Sequence, residues 1–156
     1  MTATVVLRAM TEPEYEQFTI RVVGDYARQI VDAGEVLPET AEEQARDETE
    51  GLLPDGVGTT NMLLLTAFDD DRPVGSLWLA LPSGRRTVAW VFMVLVDAAE
   101  RGRGYGRAIM LAAEQELASR GIHELGLNVF GHNTVARKLY EDLGYEITAQ
   151  QMAKRF

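Results

Sequence analysis

Between Thr87 and Leu117 the chain changes its hydrophobic period once, and it does so across three glycines. Thr87 to Val96 is an almost unbroken apolar run rich in Val, Trp and Phe, as expected of a central strand covered on both faces. Gly106, Ile109, Met110, Ala113 and Leu117 then share one face of a helix that Gly121 ends. Between the two stands Arg101-Gly102-Arg103-Gly104-Tyr105-Gly106. A strand that enters a helix through a glycine-rich basic loop belongs to an α/β chain.

The flanking segments fit the same class. Thr4 to Arg8 reads as a first strand. Tyr15, Phe18, Val22, Tyr26 and Ile30 recur at helical spacing, with Thr11 and Glu14 placed for a capping box. Pro38 suits the first turn of a second helix carrying Ala41, Ala45, Thr49 and Leu52. Asn61 to Phe68 and Val74 to Leu81 form a hairpin about Asp69-Asp70-Asp71-Arg72-Pro73. Glu124 to Phe130 reads as a further strand, and Val135, Leu139 and Leu143 mark a last helix from Asn133 to Gly144. The tail from Tyr145 to Phe156 has room for two short strands. The expected order is β-α-α-β-β-β-α-β-α-β-β: one domain over residues 1–156, with a mixed sheet of about six to seven strands and about four helices.

Composition narrows the partners. With 156 residues and a net charge of −9, the chain lacks the excess of Lys and Arg from which phosphate-backbone affinity comes, so no nucleic-acid partner is expected. No apolar run approaches the roughly 20 residues of a membrane span. Met1 to Arg8 lacks the basic and long apolar regions of a secretory signal, no cysteine is present, and the expected location is cytoplasmic. His123 and His132 are too few for a zinc site without a converging carboxylate, so no metal is expected.

Positive charge is nevertheless concentrated at Arg101, Arg103 and Arg107. A helix N-terminus presents unpaired N–H groups and about half a positive charge, and glycine lets backbone approach a phosphate closely. A dinucleotide fingerprint fails because the last glycine position, counted from Gly102, falls on Arg107. A nucleotide P-loop fails for want of Gly-Lys-Ser/Thr. A tight strand-to-helix turn remains the plain alternative for any single glycine. A coenzyme pyrophosphate satisfies the glycines and the arginines together.

The run from Leu95 to Ala108 resembles the acyl-CoA signature of the GNAT N-acetyltransferases, Gln/Arg-x-x-Gly-x-Gly/Ala, with Arg101, Gly104 and Gly106 at its defined positions. Asn133 to Tyr145 resembles the same family's Asn-x-x-Ala-x-x-Leu-Tyr-x-x-x-Gly-Phe/Tyr helix. The likeness is sharp from about Thr87 to Tyr145, and residues 1–60 match in element order alone. It implies a GNAT-like acyl-CoA N-acyltransferase fold, acetyl-CoA as acyl donor and a primary amine of a small molecule or protein as acceptor. A non-catalytic acyl-CoA sensor on the same fold is the alternative, and a homodimer is left open.

The resemblance also implies roles. The strand ending at Val96 should splay from the strand containing Asn128 and admit the thioester, with backbone groups of Val94, Leu95 and Val96 holding the pantetheine chain. Arg101, Gly102, Arg103, Gly104, Tyr105, Gly106 and Arg107 should hold the phosphates, and Asn128 and Asn133 should touch the coenzyme. Asn133 also suits a helix cap. Tyr140 should be the general acid for the departing thiolate; outside this motif it would be read as packing. No carboxylate stands between Val88 and Val96, where some family members carry a base, which leaves Asn128, His123 and Glu124 as candidates. Trp78 and Trp90 either line an acceptor pocket or pack in the core, and the acidic stretch from Glu39 to Glu50 either attracts a cationic amine or faces solvent.

Overall fold

A computed structural model describes residues 2–84 and 86–156. Five strands form one sheet: β1 (Val6–Ala9), β2 (Met62–Asp69), β3 (Arg72–Ala80), β4 (Ala89–Val96) and β5 (Leu125–Leu127), in the spatial order β1-β2-β3-β4-β5. The first four are antiparallel to their neighbours, and β5 runs parallel to β4. Four helices complete the chain: α1 (Glu12–Asp32), α2 (Pro38–Leu52), α3 (Tyr105–Ser119) and α4 (Thr134–Asp142).

Local chemistry sets the helix ends. Thr11 caps α1, its hydroxyl accepting from Glu14 N–H at 3.3 Å while the Glu14 carboxylate accepts from Thr11 N–H at 3.4 Å. Pro38 opens α2, where its missing N–H costs nothing. Each face of the sheet carries its own apolar cluster. Phe18 and Val22 of α1 pack with Leu64, Trp78 and Leu95, and Phe18 meets Trp78 edge-on at 6.3 Å. Ile109, Met110, Ala113 and Leu117 of α3 pack with Leu77, Leu79 and Val91 on the opposite face. The residues alternate because successive side chains of a strand point to opposite sides.

Four helices stand where the periodicity placed them, but the strand count is lower than expected. Residues 128–130, read as the end of a strand, leave the sheet: the Phe130 carbonyl accepts from Asn133 N–H at 3.0 Å and turns the chain into α4. The tail from Tyr145 to Phe156 forms no strand. Its large apolar residues Ile147, Met152 and Phe156 recur at five and four positions, so they make no alternating face, and all three are exposed. Thr87 and Val88 likewise lie ahead of β4. No helix among the described residues is long and apolar enough to cross a membrane.

Gly75 fixes how closely α3 and β4 approach β3. A Cβ there would collide with the Leu95 carbonyl oxygen and stand 2.8 Å from Ile109 Cδ1. Relief would require moving backbone, not a flexible tip. Gly75→Ala should therefore destabilise the fold by about 1–3 kcal/mol, the usual cost of overpacking. Equilibrium urea unfolding measures this directly.

Candidate active site

Although β4 is a central strand, it is paired on both edges for only part of its length. Its register with β5 runs Ala89↔Leu125, Trp90↔Gly126 and Val91↔Leu127, and then stops. Pairing with β3 continues to Val96. From Phe92 to Val96, the β4 edge facing β5 therefore has no strand partner. A bulge sits at the same point: Trp78 is opposite Met93 and Leu79 is opposite Val91, leaving Phe92 as the extra residue. Bulges add local twist and bend the strand that carries them. Phe92, Met93, Val94 and Val96 are consequently half-buried in a stretch whose sequence suggested full cover.

The resemblance implied a gap beside a strand containing Asn128; pairing does end here, but Asn128 belongs to no strand, and the backbone of Val94, Leu95 and Val96 borders the unpaired edge. Val94 and Val96 turn their side chains to the α3 face, while Leu95 is buried against α1. Asn128 lies just past β5 and is exposed.

The glycine loop begins one turn beyond β4, after a 3-10 turn at Ala98–Glu100. Gly102 and Gly104 adopt positive φ, +76° and +85°, and Gly104 is the N-cap of α3. A β-branched residue at 104 would strain the backbone, which stands in the left-handed region there. Among the described residues, no backbone N–H from Gly102 to Arg107 has a protein acceptor. Free amides with three arginines nearby make an anion cradle. Gly106 serves a different need. Its missing Cβ would lie 3.2 Å from Leu139 Cδ2, so the glycine lets α4 close on α3.

A polar network braces this loop against the β2–β3 turn. Tyr105, the first residue of α3, is buried, and its hydroxyl donates to Asp69 Oδ2 while accepting from Arg72 Nη2 at 3.1 Å. Arg72 Nη1 donates to Glu100 Oε1, and Arg103 Nη1 donates to Glu100 Oε2 at 3.1 Å. The hydrogen bond from Arg72 holds the Glu100 carboxyl below its ordinary value. The hydrogen bond to Asp69 raises the Tyr105 phenol above its own. The Tyr105 side chain thus braces the loop, and only its backbone faces the cradle. Arg101 folds back to donate from Nε to the Val96 carbonyl at 3.3 Å, while Arg107 is exposed. Arg21 of α1 pairs with Asp97 at 2.6 Å and fixes the end of β4 from the other face.

On α4, Asn133 caps the helix, its Oδ1 accepting from Ala136 N–H at 3.2 Å. Tyr140 packs against the α3-side cluster and meets Tyr145 edge-on at 5.9 Å. Burial pushes its phenol above the ordinary tyrosine value, so the protonated form is favoured. His123 and Glu124 lie exposed ahead of β5. Trp78 is a core residue, whereas Trp90 is half-buried. Glu39, Glu42, Glu43 and Glu50 are exposed, and Glu48 accepts from the Tyr26 hydroxyl at 2.7 Å. Sequence reasoning missed the Asp69–Arg72–Glu100 bracing, since ordinary turn residues gave no sign that they would meet Tyr105.

A central strand that opens beside a glycine loop with free amides, with half-buried Tyr140 on α4, suits an acyl-CoA-dependent transferase. Residues 28–145 match the Acetyltransferase (GNAT) family, and the chain belongs to that family. It is 33% identical over 154 residues to the uncharacterized N-acetyltransferase YycN of Bacillus subtilis, covering 97% of this chain and 99% of that one. The crystal structure of YycN superposes with a TM-score of 0.92 at 32% identity, over 98% of this chain and 99% of that one. A second B. subtilis relative, the uncharacterized N-acetyltransferase YdgE, is 29% identical over 96% of each chain. The PaiA N-acetyltransferase of Thermoplasma acidophilum, crystallised with coenzyme A, shares the fold at 21% identity and a TM-score of 0.72, over 95% of this chain and 93% of that one.

If the Tyr105 hydroxyl braces the loop, Tyr105→Phe should keep the ring packing yet weaken coenzyme A binding several-fold. Calorimetric titration checks this. Unchanged affinity would show that the loop holds its shape without the brace.

Proposed function

We propose that the protein transfers the acetyl group of acetyl-CoA to a primary amine, with Tyr140 as general acid. The observation that carries this reading is the open β4 edge, followed in the chain by the free amides of the glycine loop. The coenzyme phosphates would lie on the backbone of Gly102 to Arg107, with Arg101, Arg103 and Arg107 supplying charge. The pantetheine chain would pair with the Val94–Val96 edge as a strand would, which orients the thioester carbonyl. Asn128 and Asn133 would touch the coenzyme, although the Asn133 Oδ1 already accepts in the helix cap.

In the reaction the amine nitrogen attacks the thioester carbon and the carbon–sulfur bond breaks. The Tyr140 hydroxyl gives its proton to the departing sulfur, and the proton lost by the amine returns through solvent to the phenolate. A raised pKa suits this role, because the group must hold its proton at neutral pH until sulfur leaves. No side chain of β4 can act as base, and His123 and Glu124 are exposed, so the amine is expected to arrive neutral or to lose its proton to water. The same lack of a carboxylate favours the second reading, a sensor that binds acyl-CoA without turnover. Thiol release from acetyl-CoA across a panel of amines separates the two.

General acid catalysis contributes about 10²- to 10⁴-fold. Tyr140→Phe is expected to lower kcat by at least about tenfold, a floor below that range because water can take over part of the proton transfer, and to leave acetyl-CoA affinity nearly unchanged. Because burial raises the phenol pKa, wild-type single-turnover rates should not fall on the alkaline side until pH passes the ordinary tyrosine value, about 10. Full single-turnover activity in the phenylalanine variant would reduce Tyr140 to a packing residue.

A further inference from the structure

The coenzyme, on the reading above, reaches the opening from the side of α3 and α4. An amine must then approach from the α1 face, and on that face β4 presents Trp90 and Phe92. The two lie two residues apart and share a side, opposite to Val91, which packs under α3. Phe92 is the bulged residue at which the opening begins. Its ring stacks on buried Trp78 at 4.7 Å and 28°. The Trp90 indole lies across Gly126 of β5, where a Cβ would stand 2.6 Å from the ring. Both rings are therefore held by rigid neighbours.

Over the two rings lies the Arg86 side chain. The Arg86 guanidinium carbon is 5.6 Å from the Trp90 ring centre and 5.2 Å from that of Phe92. Its backbone is pinned as well: Arg86 and Ser83 exchange both N–H···O hydrogen bonds, each 2.9 Å. Arg86 is half-buried, yet among the described residues no carboxylate pairs with it. That is unusual in a chain of 24 acidic residues and net charge −9, where most of the other arginines have found a partner.

We infer that Arg86 recognises a carboxylate on the acceptor, so that the substrate is a small amine bearing a carboxylate, as a free amino acid does. This rests on the transferase reading and deepens it. Contact with the two ring faces uses none of the guanidinium N–H donors, and among the described residues no protein acceptor takes them. Those donors match the two oxygens of a carboxylate with parallel hydrogen bonds. Contact with two rings and a backbone pinned to Ser83 also restrict the side chain beforehand, so less freedom is lost when the acceptor binds. A cationic diamine would instead have to displace Arg86 from the rings. With the carboxylate held there, the amine of the same molecule is presented at the Phe92 end of the opening.

The test uses three sets of acceptors with acetyl-CoA: free amino acids, their carboxamides and unbranched diamines. In the wild type, kcat/KM for the best amino acid should exceed that for its carboxamide by at least about tenfold, as loss of a charge-assisted pair implies. Arg86→Met keeps the rings covered and should erase that difference while leaving the KM for acetyl-CoA unchanged. Arg86→Lys should restore part of it. Equal use of acid and amide, preference for diamines, or discrimination that survives in Arg86→Met would each overturn the assignment while leaving the transferase reading intact. Acetylation of none of the amines would overturn both.

Discussion

β4 and β5 stay together for three residue pairs, and the site exists because they stop there. The last contact is tight: the Trp90 ring lies on the bare Cα of Gly126, one pair before the ladder ends at Val91 and Leu127. Beyond it, the bulge at Phe92 bends β4 one way, and the turn after Asn128 takes the other chain into α4. Backbone N–H and C=O groups cannot be left without partners cheaply, so an open edge in a central strand calls for a substitute strand. An extended pantetheine chain, with two amides, has the right chemistry to be that substitute.

The two ends of the opening are held by different means. At the phosphate end, Glu100 before the glycine loop and Tyr105 after it both reach Arg72, and Tyr105 also reaches Asp69. A loop with two positive-φ glycines would otherwise be loose, and bracing keeps its amides converging before any ligand arrives. On the opposite face, Arg21 ties α1 to Asp97 at the end of β4. Gly106 joins the halves by letting Leu139 settle on α3, which sets the helix that carries Tyr140. A change in the β2–β3 turn can therefore reach coenzyme binding without touching the coenzyme.

Much of this was legible in the sequence, and what was not has physical reasons. Local signals worked where one short stretch decides the outcome: the Thr11–Glu14 box, Pro38 at the start of α2, and Asn133 as a cap. The GNAT-like motifs located the loop and the Tyr140 helix because they combine residue type with spacing. Failures came where distant residues decide. Glu124 to Phe130 reads as one strand by alternation, but pairing ends when β4 bulges, and alternation carries no record of that. The tail offered apolar residues without a period of two, and the expectation of strands there rested on available length. Asp69, Arg72 and Glu100 are unremarkable as sequence and acquire a role only when folding brings the hairpin turn under Tyr105. Trp78 and Trp90 were indistinguishable on paper; the bulge puts Phe92 over the first, and the missing side chain of Gly126 makes room for the ring of the second.

The central claim is that the open β4 edge and the glycine loop are occupied together by one ligand. Amide hydrogen exchange with and without coenzyme A tests it most directly, since both segments should offer backbone groups to the same molecule. The account predicts that saturating coenzyme A slows exchange in two separated stretches, from Phe92 to Val96 and from Gly102 to Arg107, with little change in α2. Protection confined to the loop, or appearing elsewhere while the β4 edge exchanges as before, would contradict it.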